Sequence, residues 1–226
     1  MRGLSRTEAS LRIELPGGDS VAALACAPPG ARAAYVLAHG AGAGMTHAFM
    51  AASAHGLAAR GVATLRFQFP YMERASKRPD APAVAHAAVR AAVAQAAVLF
   101  PGARLYVGGK SFGARMTSQA QALDPLPGVA GLVFIGFPLH PAGKPATSRA
   151  DHLQQVALPM LFVQGTRDKL ADWALLQDVL AGLGDRAELL TVDQADHAFH
   201  VPARSGRTDA QVLADMLDGV AAWMLR

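Results

Sequence analysis

One cysteine, Cys26, stands in 226 residues. It cannot form an intrachain disulfide, and no thiolate metal cluster can be built around it. Charge is also scarce, with Asp, Glu, Lys and Arg making up 17% of the chain against 52% hydrophobic residues. That balance excludes a disordered, charge-dominated polymer. The net charge of +4 is carried by arginines scattered from Arg2 to Arg226, not by a basic stripe, so nucleic acid is not an expected partner. No uninterrupted apolar run approaches the ~18 residues of a membrane span. Ala83 to Phe100 comes nearest, but His86, Arg90 and Gln95 break it, and no membrane partner is expected. Met1 to Ser10 is polar and lacks the apolar centre of a signal peptide. Together with the lone cysteine this sets the cytoplasm as the expected location. No histidine spacing of the metalloprotease type occurs, so no metal site is expected.

What is present is an alternation of short apolar runs and helical patterns. Leu11 to Leu15 and Val21 to Ala27 read as a hairpin around Pro16-Gly17-Gly18-Asp19. Ala33 to Ala38, Ala63 to Phe67, Leu105 to Gly108, Gly131 to Gly136, Met160 to Gln164 and Ala187 to Val192 read as buried strands. Helical patterns run from His47 to Arg60, from Pro82 to Phe100, after Ser111 to Leu123, from Ala171 to Leu183 and from Thr208 to Leu225. A short helix is expected at Asp151 to Val156, and Gln68 to Pro82 reads as a polar loop. The fold class is therefore α/β, a mostly parallel sheet with helices on both faces, and residues 1–226 form one domain. No internal repeat or linker interrupts it.

In such sheets ligands bind beyond the carboxyl ends of the strands. One of those ends carries Tyr106-Val107-Gly108-Gly109-Lys110-Ser111-Phe112-Gly113-Ala114-Arg115. Gly109-x-Ser111-x-Gly113 is the nucleophile-elbow pattern, a tight strand-to-helix turn that lifts a serine hydroxyl above the sheet. The pentapeptide alone is weak evidence, since nine serines and 22 glycines give about 0.09 chance matches. Gly109-Lys110-Ser111 also imitates the end of a phosphate-binding P-loop, but Arg104 occupies the place of its first glycine.

Specificity comes from what lies at the other strand ends. A serine hydroxyl needs a base to take its proton, and the base needs a third group to fix its tautomer. In elbow-bearing enzymes the order is serine, acid, histidine. Ser111, Asp168 and His197 occur in that order, each just past an expected strand. Ser111 is read as nucleophile, His197 as general base and then acid, and Asp168 as its orienting group. Asp172 and Asp193 are rival acids and His200 a rival base; Asp168 would otherwise be a turn residue or helix N-cap.

The oxyanion of a tetrahedral intermediate requires two N–H donors. One is assigned to Phe112, the residue after the nucleophile. The other is assigned to Ala41 in His39-Gly40-Ala41-Gly42, with Gly42 as the alternative. A dinucleotide cradle does not fit this glycine loop, because Met45 stands where the third glycine belongs, so no cofactor is expected. His39 is read as a support of the loop. Gly42, Arg66, Tyr71, Lys110, Phe137 and His140 are candidate pocket residues, since their loops fall at the same end of the sheet.

These residues resemble a known family. The chain resembles the small, lidless bacterial α/β-hydrolases related to dienelactone hydrolases, and in particular the subfamily grouped with a mammalian testis-expressed protein and a histone-acetyltransferase complex subunit. The resemblance rests on His39-Gly40-Ala41-Gly42, Arg66-Phe67-Gln68-Phe69-Pro70-Tyr71-Met72 and Gly108-Gly109-Lys110-Ser111-Phe112-Gly113-Ala114-Arg115-Met116. It continues through His140-Pro141-Ala142-Gly143-Lys144-Pro145, Gln164-Gly165-Thr166-Arg167-Asp168, Asp196-His197-Ala198-Phe199 and Ser205-Gly206-Arg207-Thr208. Ala114 departs from a frequent second glycine, and Ala198 from a frequent serine. The resemblance implies an α/β-hydrolase fold without a cap domain and a serine-hydrolase machinery.

The functional expectation is cleavage of a small carboxylic ester, thioester or lactone through an acyl-Ser111 intermediate, with a small-molecule acyl substrate as partner. The alternative is a non-catalytic scaffold of the same fold that binds a protein. A homodimer is the assembly to be tested.

Overall fold

The computed structural model describes residues 8–226. Of the polar opening stretch, residues 1–7 lie outside the described residues. The chain begins with a hairpin, β1 (Glu8–Glu14) and β2 (Ser20–Cys26). It continues through β3 (Ala33–Ala38), α1 (Ala48–Ala58), β4 (Val62–Phe67), α2 (Pro70–Glu73), α3 (Pro82–Leu99), β5 (Arg104–Lys110) and α4 (Phe112–Leu123). Then follow β6 (Val129–Ile135), β7 (Met160–Gly165), α5 (Trp173–Leu183), β8 (Ala187–Val192) and α6 (Asp209–Met224). The eight strands form one sheet in the order β1-β2-β4-β3-β5-β6-β7-β8. Only the first two pairings are antiparallel; from β4 to β8 every pair is parallel.

The central strands β3, β6 and β7 are largely apolar because both faces of the sheet are covered there, whereas the edge strand β1 is mostly exposed. Residues alternate between two cores with the two-residue period of a strand. On β3, Ala34, Val36 and Ala38 face the core shared with α3, α4 and α5, while Ala33, Tyr35 and Leu37 face the core shared with α1 and α6. The pattern repeats on β6, with Leu132 and Phe134 on one side and Val133 and Ile135 on the other.

Helix α3 has the length and mean hydropathy, 1.3, of a segment able to cross a membrane. Here Ala85, Ala88, Val89, Ala92, Val93 and Ala96 bury its stripe in the first core.

Two local expectations are corrected. The stretch expected as a loop from Gln68 to Pro82 contains α2, which starts at Pro70; a proline at the first helical position loses nothing by lacking its N–H. Helix α5 starts at Trp173, not Ala171, because the Asp172 carboxylate accepts from the Leu175 N–H at 3.1 Å and caps it. The expected segment at Asp151 is a 3₁₀ turn, Asp151–Gln155.

The chain leaves β3 toward β4 on one side and returns to β5 on the other. The carboxyl ends of β3 and β5 therefore flank the point where strand order reverses, the place such sheets reserve for ligands.

Candidate active site

At the end of β5 the backbone of Ser111 takes φ 52° and ψ −109°, a conformation that costs a side-chain-bearing residue about 1–3 kcal/mol. Packing enforces it. A Cβ on Gly109 would stand 2.1 Å from the Ala38 carbonyl oxygen, and one on Gly113 would stand 2.4 Å from the same atom. Both glycines of the elbow are thus required by one carbonyl at the end of β3. Gly108 is pressed as hard from the other side, with the Val133 carbonyl 1.8 Å from an added Cβ. That carbonyl accepts from the Tyr35 hydroxyl at 2.8 Å, across the space a side chain would fill.

The structure brings Ser111, His197 and Asp168 into one hydrogen-bonded line. His197 Nε2 lies 2.9 Å from Ser111 Oγ, and His197 Nδ1 lies 2.7 Å from Asp168 Oδ2. Asp168 is nearly fully buried, and its other contacts suit an ionised carboxylate. The Gln164 side-chain amide donates to Oδ2 at 2.6 Å and the Leu170 N–H donates to Oδ1 at 2.8 Å. The turn holding the acid and the loop holding the histidine are stitched together. The Arg167 N–H donates to the Ala195 carbonyl at 2.9 Å, and a Cβ on Gly165 would stand 2.3 Å from that oxygen. The rivals lie elsewhere. Asp172 caps α5, Asp193 accepts from the Thr166 hydroxyl at 3.3 Å, and His200 pairs with the Asp209 carboxylate at 2.9 Å on the surface.

The glycine loop after β3 is braced from below. His39, fully buried, donates from Nδ1 to the Gly40 carbonyl at 2.8 Å and accepts at Nε2 from the Phe69 N–H at 3.1 Å. Only the neutral ring can do both, and burial pulls its pKa down to about 4. The Tyr71 hydroxyl accepts from the Gly42 N–H at 3.0 Å, and the Gln68 side-chain oxygen accepts from the Met45 N–H at 2.8 Å. With Gly42 occupied, the Ala41 N–H meets no acceptor among the described residues. The Phe112 N–H opens α4 and has no acceptor within its helix.

A cavity of about 220 Å³ opens above these groups. Ser111, Lys110, His197, Gly40 and Ala41 line it together with Ala43, His47, Phe49, Met50 and Ala198. Phe49 stacks on Phe199 with ring centroids 6.0 Å apart. On its other side His197 borders a polar cavity of about 370 Å³ with Arg167, Lys169 and His200.

Of the candidate pocket residues, Lys110 lines the first cavity and the others do not. Gly42 and Tyr71 are bonded to each other within the loop support. Arg66 is buried, donates to the Met45 carbonyl at 2.9 Å and pairs with the Glu8 carboxylate. Phe137 packs among Phe134 and Phe162 in the core. His140 is buried and accepts from the Asp172 N–H at 2.8 Å, tying its loop to the start of α5. The cavity wall from α1 was missed because His47, Phe49 and Met50 read only as helix. Gln164 was missed too, although a polar residue closing an apolar strand run was a usable signal. Among the described residues no cluster of three or more His, Cys, Asp or Glu side chains is arranged to hold a metal ion.

Residues 31–225 match the model of the alpha/beta hydrolase domain family. The chain belongs to this α/β-hydrolase family. Solved structures share its fold at low identity. A dienelactone hydrolase from Anabaena variabilis superposes with a TM-score of 0.77 at 18% identity, over 97% of each chain. A serine hydrolase without a lid, XC6422 from Xanthomonas campestris, gives 0.72 at 23% identity, over 96% of this chain and 94% of that one. Est1E from Butyrivibrio proteoclasticus gives 0.68 at 17% identity, over 94% and 99%. The sequence-based expectation of an α/β-hydrolase fold is thereby met.

Proposed function

We propose that this α/β-hydrolase is a serine hydrolase that cleaves a small carboxylic ester, thioester or lactone through an acyl-Ser111 intermediate. The observation that carries the reading is the unbroken line from Ser111 Oγ through His197 to the buried Asp168 carboxylate, set at the mouth of a cavity. In this reading His197 Nε2 takes the Ser111 proton as Oγ attacks the substrate carbonyl carbon. Asp168 holds the ring with its proton on Nδ1 and balances the imidazolium charge. The Ala41 and Phe112 N–H groups receive the oxyanion. Collapse of the intermediate breaks the bond to the leaving oxygen or sulfur, which takes the proton from His197. Water then repeats the sequence, activated by His197, and releases the acid and free Ser111.

The apolar, modest volume between Ala43, Phe49 and Met50 suits a short acyl group. The relation to the subfamily with a testis-expressed protein and a histone-acetyltransferase complex subunit rests on the motifs quoted above, and a cytoplasmic location on the cysteine usage. A protein-binding scaffold of this fold has no use for Gln164 and Leu170 holding a buried carboxylate against a histidine, so catalysis is the better reading.

The test is hydrolysis of short-chain p-nitrophenyl esters, acyl thioesters and small lactones by wild type, Ser111→Ala and Asp168→Asn. Wild type should turn over at least one class, and both variants should lose roughly 10⁴-fold in kcat. Equal rates in wild type and Ser111→Ala would refute the proposal.

A further inference from the structure

We propose that Lys110, the residue preceding the nucleophile, is a positioning residue that keeps His197 in place during deacylation, when the serine can no longer hold it. This rests on the acyl-Ser111 reading above.

Two bonds cross the site from the elbow to the histidine loop. One is the Ser111–His197 contact at 2.9 Å; the other runs from Lys110 Nζ to the His197 main-chain carbonyl at 2.5 Å. The first is lost in every turnover, because acylated Oγ has no proton to give. The second involves no reacting atom and survives acylation. The histidine loop is otherwise largely bonded to itself. The Asp196 carboxylate accepts from the Ala198 and His200 N–H groups, and the Asp196 N–H donates to the His200 carbonyl. It is also held on the acid side, through Asp168, the Arg167 N–H and the Thr166 hydroxyl, and at its far end, where the Asp209 carboxylate bonds His200 and the Val201 N–H. Among the described residues, the Lys110 bond is what remains of the hydrogen bonds from the elbow to this loop.

The fold builds a seat for this ammonium. Nζ stands 5.1 Å over the face of Phe199, two residues beyond the histidine it holds. At the end of β6, Gly136 adopts φ +68°, and a Cβ there would meet Nζ at 3.0 Å and the His197 ring at 3.5 Å. The carboxylates of Asp168 and Asp196 supply the compensating field for a cation that burial otherwise disfavours. Three segments thus converge on one nitrogen that the reaction itself does not consume.

The experiment separates the two half-reactions. With p-nitrophenyl acetate, stopped-flow absorbance gives acylation from the initial nitrophenolate phase and deacylation from the steady state. Intact-protein mass spectrometry of quenched samples gives the acetylated fraction. Lys110→Met should slow deacylation roughly ten- to a hundred-fold while slowing acylation much less, so that acetyl-enzyme accumulates. Lys110→Cys followed by aminoethylation, which restores an ammonium at the same reach, should recover deacylation. It also serves if Lys110→Met folds poorly. Equal slowing of both steps, or no recovery on aminoethylation, would overturn the role of Lys110. Nitrophenolate release that persists unchanged in Ser111→Ala would instead overturn the acyl-serine reading and this inference with it, a result easily told apart.

Discussion

The Tyr71 hydroxyl accepts the Gly42 N–H at 3.0 Å and so takes one amide of the glycine loop out of play. It fixes the loop to the segment after β4, and with Gly42 so engaged the Ala41 N–H is the loop's proposed oxyanion donor. Removing the oxygen alone, in Tyr71→Phe, should cost about 0.5–1.5 kcal/mol of stability. It should also lower kcat/KM roughly tenfold by loosening the donor geometry. Urea melts and ester kinetics measure the two effects. A variant with wild-type kinetics would show that the loop does not depend on Tyr71.

The elbow is held by sterics at the Ala38 carbonyl. Gly113→Ala places a methyl where 2.4 Å separates it from that oxygen, and two packed main chains cannot both yield. The variant should lose about 3 kcal/mol or more of stability, visible as a lower denaturation midpoint or loss of soluble protein. Ala114, one residue on, is buried against the same core, yet it already carries its methyl group. Stability within a few tenths of a kcal/mol of wild type for Gly113→Ala would contradict the packing described.

His39 gives the fold an acid-sensitive point. Its pKa falls from the ordinary 6.5 to about 4 because the charged ring would be buried while Nε2 must accept a hydrogen bond. Between pH 6.5 and 4 the unfolded chain therefore binds more protons at this site than the folded one, and stability falls as pH falls through that window. His152, half-buried and 2.8 Å from the Ser118 hydroxyl, is likewise drawn down to about 4 and adds to the same slope. Urea unfolding at pH 7.5, 6 and 5 should show a progressive loss of stability, smaller in His39→Gln. A flat profile would mean that the two rings are not held neutral.

Gln164 links the acid to the loop after β6. Its amide nitrogen donates to Asp168 Oδ2 at 2.6 Å and its oxygen accepts from the Phe137 N–H at 2.9 Å. Gln164→Met keeps the volume and removes both bonds. Steady-state kinetics should show kcat reduced roughly ten- to a hundred-fold with KM little changed, since an orienting group acts on the reacting geometry. An effect on KM alone would place Gln164 in substrate binding.

Much of this was legible in the chain because packing and chemistry demand the same residue types. Strands buried on both faces read as apolar runs, and Gly109 and Gly113 stand where one carbonyl leaves no room for a side chain. Ser111, Asp168 and His197 follow expected strands, so sheet topology alone brings them to one edge. The pocket walls were less legible. Arg66, Phe137 and His140 are at the correct end of the sheet, but each turns inward to satisfy a carbonyl, an aromatic cluster or a helix N-terminus. Spacing in the sequence places a residue on a loop; it does not say which way a side chain in that loop is driven by unpaired backbone groups nearby. The short helix α2 escaped for a related reason. Four residues are too few to show a helical period.

The most direct test of the account is reaction with a fluorophosphonate followed by peptide mapping of the modified residue. The account predicts one phosphonylated site, Ser111, with labelling abolished in Ser111→Ala and strongly slowed in His197→Ala. Folded wild-type protein that stays unlabelled, or label on a different residue, would contradict the claim that Ser111 is an activated nucleophile.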